Sequence, residues 1–183
     1  MTEAFDRAIS ELASVAREID HDAIETACRM ICEARRVVLY GCGREGLQMK
    51  GFAMRLFHLG FDVSVQGSMT TPPVGVGDLF LVSDGPGRLA TVNALTDIAR
   101  SAGTKVVLFT AEPDTKIASK SDCTVAIRAQ TMASDQGSDK SLLPMGSVYE
   151  GALFLLFEIM VLRLCDLTQA DSTDIRARHT NLE

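Results

Sequence analysis

Two glycine-rich turns hold the residues of this chain whose types and spacing could do chemistry. The first spans Gly41–Gly46 and reads GCGREG, and the second spans Asp84–Leu89 and reads DGPGRL. Each turn follows an apolar, strand-like run and precedes a helix-like segment, where α/β proteins bind phosphate on the free N–H groups of a helix N-terminus. Neither turn contains a Ser or Thr, and each carries an acid, Glu45 or Asp84. The backbone pattern therefore predicts an anion site, whereas the side chains do not.

The turns supply candidate ligand-binding residues. A guanidinium group can grip a phosphate in a fork, so the arginines could offset repulsion by the acids. The alternative for Arg88 is an ion pair with Asp84 or Glu45. The candidates from the two turns are Gly41, Gly43, Arg44, Glu45, Asp84, Gly85, Gly87 and Arg88.

Three titratable residues outside the turns are candidates for proton transfer. Glu150 opens a long helical segment, where a carboxylate serves either as a base that moves a proton between adjacent carbons or as an acid favoured by the helix dipole. His58 and His179 are candidates for a proton relay, because histidine is the residue type that can exchange a proton near neutral pH. For His58, which ends a helix rich in Phe and Met, a partly buried structural histidine is the alternative.

Composition limits the class of protein and of partner. The chain has 183 residues, a hydrophobic content of 46% and a net charge of −6. We expect one domain and a substantial core, with neither nucleic acid nor a membrane as a partner. The five cysteines are an odd number in a chain too long to need disulfides, so we expect a cytoplasmic protein. Cys28 and Cys32 share a predicted helix without nearby partner ligands, so we expect no metal site.

The elements that must position these residues alternate along the chain. Two amphipathic helices are predicted at 3–18 and 21–34. They are followed by strands at 36–40, 61–65, 78–83, 105–110 and 123–127, and by helices at 45–59, 88–101, 114–120 and 146–165. Such alternation predicts a three-layer α/β/α sandwich around a five-stranded parallel sheet, with its ligand site at the carboxyl ends of the strands. The single domain then consists of N-terminal helices (1–34), an α/β core (35–166) and a polar tail (167–183).

A dinucleotide site is one interpretation of the first turn. Gly41, Gly43 and Gly46 match the pattern G-x-G-x-x-G after a strand and before a helix. That interpretation also needs an acid at the end of the next strand, and none stands there. Glu45 would in addition face the pyrophosphate, so we disfavour this interpretation.

The whole chain resembles the sugar isomerase (SIS) domain and, within it, the 6-phospho-3-hexuloisomerase family. The strings that carry the resemblance are GCGR at 41–44, KGFAMRLFHLGF at 50–61, TPP at 71–73, GDL at 77–79, PMGSVYE at 144–150 and RHTNLE at 178–183. The resemblance implies a Rossmann-like, doubly wound fold and a cytoplasmic homotetramer with active sites between subunits. It also implies interconversion of D-arabino-hex-3-ulose 6-phosphate and fructose 6-phosphate through an enediol, without metal or organic cofactor.

The resemblance assigns roles to several residues. Glu150 stands at the carboxylate position of the family's P-M-G-S-x-F-E motif, which makes it the candidate base, and Ser147 of the same motif is a candidate ligand-binding residue. The family's tail reaches a neighbouring subunit's site, which implies a role for His179 in ring opening or proton relay. The catalytic candidates are thus Glu150, His58 and His179.

The chain departs from the family on the ligand side. The family's second loop, S-G-S-G-E-T, falls on Asp84–Leu89, so its hydroxyls are replaced at Asp84, Pro86 and Leu89, and the serine of the first loop is Glu45 here. We therefore expect a sugar-phosphate isomerase with an altered phosphate site. The alternatives are a non-catalytic module that binds a carbohydrate derivative, and an isomerase for an unphosphorylated or amino-substituted sugar.

Overall fold

The computed structural model of the protein describes residues 1–137 and 140–182. Two of the undescribed residues fall in the polar stretch 129–143 and the third is Glu183, the last residue of the tail motif. In chain order the elements are α1 (Thr2–Arg17), α2 (His21–Glu33), β1 (Arg36–Gly41), α3 (Gly43–Leu59), β2 (Val63–Val65), β3 (Asp78–Ser83), α4 (Ala90–Ser101), β4 (Lys105–Thr110), β5 (Cys123–Ala126), α5 (Ser147–Thr168) and α6 (Ser172–Ala177).

The five strands form one sheet in which every pairing is parallel. Their order is β2-β1-β3-β4-β5, so the chain leaves β1 in one direction to form β2 and returns to the other side of β1 to form β3. The last residues of the two central strands, Gly41 and Ser83, are paired. Because strand order reverses between β1 and β3, the two glycine turns leave the sheet at its topological switch point, where α/β proteins bind ligands.

Two hydrophobic clusters cover the two faces of the sheet. Alternate residues of a strand point to opposite faces, so Val37 and Leu39 pack with α2, α3 and α5, whereas Val38 packs with the side of the sheet that α4 covers. Helix α1 lies on α5, where Leu12 contacts Gly151. The predicted three-layer α/β/α sandwich is confirmed. Within the described residues, no helix is both long enough and apolar enough to span a membrane.

Side-chain caps explain where two of the helices begin. Asp20 accepts a hydrogen bond from the Asp22 N–H at 2.9 Å and starts α2, as its residue type predicts. Asp171 accepts from the N–H groups of Thr173 and Asp174 at 2.7 and 2.8 Å and starts α6, a short helix that the polar tail did not predict. The helix expected at 114–120 is reduced to a 3₁₀ turn at Ala118–Lys120.

Candidate active site

A cavity of about 440 Å³ opens beside the two glycine turns and the start of α5. Its walls come from four segments that are separate in sequence. The lining residues are Cys42, Gly43, Arg44, Glu45, Pro86, Arg88, Leu89, Thr131, Met132, Ala133, Gly146, Tyr149 and Glu150. Another hollow of about 550 Å³, between α1 and residues 128–130 and 140–141, contains none of the predicted site residues. Five of the predicted site residues therefore line the cavity at the switch point, namely Gly43, Arg44, Glu45, Arg88 and Glu150.

The first turn passes directly into α3. Gly46 has room only for hydrogen, since a Cβ there would lie 2.4 Å from the carbonyl oxygen of Gly41. This close approach packs the first turn of the helix against the end of β1. Helix α3 starts at Gly43, so Arg44 and Glu45 both lie in its first turn and both line the cavity.

Arg44 ties this turn to the start of α5. Its guanidinium donates to Ser147 Oγ at 2.7 Å and to the carbonyl oxygen of Met145, and its Nη2 lies 3.1 Å from Glu150 Oε2. Met145 and Gly146 have left-handed φ angles of 56° and 80°. A side chain at Gly146 would also collide with the backbone of Met132, at 2.6 Å. Arg44 thus stabilises the strained backbone at Met145, which precedes α5 and positions Glu150 at the cavity wall.

Glu150 lies in the first turn of α5 with its side chain 16% exposed. Its Oε2 atom is buried and accepts no hydrogen bond from any described residue, because the nearby Arg44 guanidinium is not aligned with it. Burial raises the pKa of Glu150, Arg44 opposes this shift, and Glu45 adds to it. A carboxylate with a raised pKa in a cavity is suited to act as a general base near neutral pH.

The second turn has no N–H group left for a ligand. Gly85 donates to Glu45 Oε2 at 3.0 Å and Gly87 donates to the carbonyl oxygen of Asp84 at 3.0 Å. The N–H groups of Arg88 and Leu89 donate to the two carboxylate oxygens of Asp84 at 3.1 and 3.0 Å. Pro86 has no N–H to give. The carboxylate of Asp84 therefore takes the place that an external anion would occupy.

Asp84 is fully buried and is not among the residues that line the cavity. Burial raises the pKa of Asp84, while the three backbone N–H groups of Leu89, Arg88 and Gly87 act against that shift. Gly85 and Gly87 are buried with it. This acid, which in sequence looks like a group facing the ligand, accepts its hydrogen bonds from its own turn.

Glu45 occupies a different position. It lines the cavity, is 9% exposed, and accepts through Oε2 from Ser83 Oγ at 2.6 Å and from Gly85 N at 3.0 Å. The Ser83 hydroxyl is in turn 3.3 Å from the Tyr149 hydroxyl. Burial raises the pKa of Glu45, the bonds from Ser83 and Gly85 oppose the shift, and the charge of Asp84 adds to it.

Arg88 is exposed and lines the cavity. Its backbone N–H contacts Asp84, but its guanidinium forms no ion pair within residues 1–137 and 140–182. The ion pair with Asp84 or Glu45 that sequence left open is therefore not formed. A cation without a carboxylate partner remains on the wall of a cavity whose adjacent loop has no N–H group to offer.

The two candidate histidines lie together but away from the cavity. His58 is buried near the C-terminal end of α3, and its ring centroid is 5.2 Å from that of His179. Arg178 donates to the carbonyl oxygen of His58 at 3.2 Å and fixes the tail there. Since α3 rises 1.5 Å per residue, His58 stands about 22 Å along the helix from Gly43. Within one chain, the structure brings Glu150 near Arg44, Glu45, Arg88 and Ser147, and leaves both histidines apart.

Sequence reasoning missed three polar residues of the site. Tyr149 is fully buried beside Glu150, and Ser83 ends β3 directly before Asp84, so their neighbours in sequence were the available signal. Thr131 lines the cavity from a polar stretch that carries no recognisable pattern.

The SIS domain family matches residues 30–155. The chain belongs to the SIS domain family. A relative named 3-hexulose-6-phosphate isomerase, from Mycobacterium gastri, is 36% identical over 94% of this chain and 86% of its own length. Another of that name, from Bacillus subtilis, is 30% identical over 100% of this chain and 98% of its own.

A solved structure supports the fold of this SIS domain. It is that of a hypothetical protein from Methanococcus jannaschii, from which a molecular function of 3-hexulose-6-phosphate isomerase was inferred. The TM-score is 0.85 at 23% sequence identity, with 99% of each chain covered. At that identity the likeness establishes the SIS fold alone. The doubly wound, five-stranded architecture expected from sequence is thus confirmed by both the strand order and this neighbour.

Proposed function

We propose that this SIS domain protein is a sugar-phosphate isomerase of the 6-phospho-3-hexuloisomerase type. It would interconvert D-arabino-hex-3-ulose 6-phosphate and fructose 6-phosphate by moving the carbonyl group between adjacent carbons. The observation that carries the proposal is Glu150, whose buried Oε2 accepts no hydrogen bond from a described residue at the wall of a cavity that also holds Arg44 and Arg88. The two relatives named 3-hexulose-6-phosphate isomerase support the reaction type.

Glu150 would act as the base. It removes the proton from the carbon next to the carbonyl, giving an enediol, and returns that proton to the neighbouring carbon. Arg44 holds the backbone before α5 and pairs with Glu150, which favours the ionised carboxylate that the first step needs. No oxidant or reductant is consumed, because the keto shift only relocates protons.

Arg88 would bind the substrate's phosphate. The turn Asp84–Leu89 has no N–H group to offer, and its acid is turned inward, so a side-chain cation must replace the loop as the anion ligand. A guanidinium can give a phosphate two parallel hydrogen bonds. The exposed Arg88 guanidinium, with no ion pair to a described residue, meets that need.

A sugar that carries an amine instead of a phosphate is the second candidate ligand. The observation that favours it is the presence of two carboxylates, Glu45 and Glu150, on the cavity wall. Such a ligand could be isomerised or only bound. The unpaired Arg88 argues against it, since a cation on the wall would repel an ammonium group.

The assembly we propose is a homotetramer in the cytoplasm. Helices α3 and α5 expose large apolar side chains outward, namely Leu47, Met54, Phe57, Phe154, Leu155, Ile159 and Leu162. Apolar surface of this kind marks a protein interface. A neighbouring copy would also explain His58 and His179 as catalytic candidates, because they could enter another subunit's cavity. The five cysteines are all free thiols, which fits a reducing compartment.

The proposal is tested by incubating the purified protein with fructose 6-phosphate and following the hex-3-ulose 6-phosphate by NMR. We expect turnover by the wild type and a loss of about 10²- to 10⁴-fold in kcat for Glu150→Gln. Glu158→Gln is the matched control, because Glu158 lies on the same helix and pairs with Arg55 outside the cavity. Absence of turnover by the wild type, with tight binding of glucosamine in a parallel titration, would replace the proposal by the second candidate. Equal kcat for Glu150→Gln and wild type would remove Glu150 as the base.

A further inference from the structure

We propose that Glu45 is a second catalytic residue, which carries the proton on the substrate's oxygen atoms while Glu150 carries the proton on its carbon atoms. This inference rests on the proposed function and assigns to Glu45 a role that neither the sequence pattern nor the relatives' names suggest. The cavity has two carboxyl groups from two helices, Glu45 in the first turn of α3 and Glu150 in the first turn of α5.

A keto shift needs two proton carriers. The carbon-bound proton must move from one carbon to the next, and the hydroxyl proton must move in the same direction from one oxygen to the other. Glu150 takes the carbon proton as the carboxyl of Glu45 gives its proton to the carbonyl oxygen, which forms the enediol. Glu45 then takes the proton from the former hydroxyl oxygen as Glu150 returns its proton to the other carbon. Both carboxyl groups end in their starting states, so atoms and charge balance.

The contacts of Glu45 leave one oxygen for this work. Its Oε2 accepts hydrogen bonds from Ser83, the last residue of β3, and from Gly85 in the second turn, and these two bonds fix the side chain. Its Oε1 takes part in no hydrogen bond with a described residue, and Gly85 leaves it space, since a Cβ there would lie 2.9 Å away. A carboxyl group held by one oxygen and open at the other is positioned for proton transfer.

The charges around Glu45 favour its protonated form. The groups that act on it are Asp84 from the second turn, and Tyr149 and Glu150 from α5, all neutral or negative. Arg88, the cation of the second turn, lines the same cavity but is exposed to solvent. Arg44, its neighbour on α3, is directed to Ser147, Met145 and Glu150. Burial and Asp84 raise the pKa of Glu45, so a proton remains available to a carbonyl oxygen at a higher pH than for an exposed glutamate.

A purely structural role for Glu45 is distinguishable from a catalytic one. Glu45→Gln keeps an oxygen that accepts from Ser83 and Gly85 but cannot carry a proton. A structural tie would therefore survive this change, whereas proton transfer would not. Glu45→Ser removes both the tie and the acid, so the difference between Glu45→Ser and Glu45→Gln measures the structural part.

The experiment measures kcat, KM and the pH profile for the wild type, Glu45→Gln, Glu45→Ser and the control Glu158→Gln. We expect Glu45→Gln to lose about 10²-fold or more in kcat with KM within about threefold. In the wild type, activity should fall at high pH as Glu45 loses its proton, and this limb should vanish in Glu45→Gln while the low-pH limb, set by Glu150, remains.

Each outcome decides between specific claims. A wild type that turns over, a Glu150→Gln variant that does not, and a Glu45→Gln variant with wild-type kcat and pH profile would overturn this inference and leave the proposed function standing. A wild type without turnover would remove both. Thermal melting of each variant shows whether it is folded, and Glu45→Gln is the variant that the hydrogen bonds predict to fold even where Glu45→Ser does not.

Discussion

The two glycine turns leave neighbouring strands at the same edge of the sheet, yet their acids have different surroundings. In the second turn, Asp84 precedes α4 by six residues, and its carboxylate receives the N–H groups of Arg88 and Leu89. In the first turn, Glu45 is already inside α3, and its carboxylate lines the cavity. Asp84 accepts hydrogen bonds from the backbone of its own turn, and Glu45 lies where a ligand in the cavity can reach it.

The difference shows that the distance between an acid and the helix start decides its role. Asp84, six residues before α4, has room to fold its carboxylate back onto the N–H groups of Arg88 and Leu89 in its own turn. An acid inside the first turn projects sideways from the helix. The carboxylate of the second turn is therefore an internal anion, whereas the carboxylate of the first turn lines the cavity. Under the proposed function a side chain binds the phosphate, and Arg88 lies on the cavity wall.

The largest effect should come from removing the internal anion. Asp84→Ala leaves the N–H groups of Arg88 and Leu89 unpaired, and a hydrogen bond to a charged group contributes about 1.5–3 kcal/mol, so the free energy of unfolding should fall by about 3 kcal/mol. Urea unfolding measures it. Asp97→Ala, on the exposed side of α4, is the control and should change stability by less than about 1 kcal/mol. Equal losses for the two variants would mean that Asp84 does not hold the turn.

A smaller effect is expected from Arg44, which joins the first turn to α5. Arg44→Ala frees the carbonyl of Met145 and removes the cation beside Glu150, so kcat should fall by about 10- to 100-fold. The low-pH limb of activity should also move to higher pH, because Arg44 acts to lower the pKa of Glu150. Arg55→Ala, whose guanidinium pairs with Glu158 outside the cavity, is the matched control. A pH profile of Arg44→Ala equal to that of the wild type would contradict the ion pair between Arg44 and Glu150.

The smallest effect concerns the pH dependence of stability. Glu45 has a raised pKa in the folded protein, so the folded state holds its proton more tightly than the unfolded state does. Below the pKa that Glu45 has in the unfolded chain, its burial therefore does not lower the free energy of unfolding. As the pH rises from that pKa through the pKa of the folded state, the free energy of unfolding falls. The melting temperature of Glu45→Gln, relative to wild type, should be higher at pH 8 than at pH 4. A difference in melting temperature that does not change with pH would show that the pKa of Glu45 is not raised in the folded protein.

Much of the fold could be predicted from sequence because its signals are local. The alternation of apolar strands and amphipathic helices predicted five parallel strands. The predicted bounds of β3 and β4 agree with the structure at both ends. Helix α6 was missed because its six residues depend on the Asp171 cap and on packing against α3. The helix at 114–120 shrank to a single 3₁₀ turn, since its polar residues offer no apolar stripe of their own.

The site was only partly predictable. The glycine turns and Glu150 were found because they sit at strand ends and in a recognisable motif. The separate roles of Glu45 and Asp84 were not, because they depend on which N–H groups each carboxylate reaches in three dimensions. That Arg88 does not pair with Asp84 was likewise not predictable, because the backbone N–H groups of Arg88 and Leu89 already satisfy the Asp84 carboxylate.

The central claim, that a side chain has replaced the loop as the phosphate ligand, is tested most directly by Arg88→Ala. The measurement compares KM for fructose 6-phosphate in the wild type, in Arg88→Ala and in Arg100→Ala, a control at the far end of α4 that pairs with Asp122. Loss of a charged hydrogen-bonding partner should raise KM about 10- to 100-fold in Arg88→Ala, with kcat within about threefold of wild type. An unchanged KM in Arg88→Ala would contradict the account.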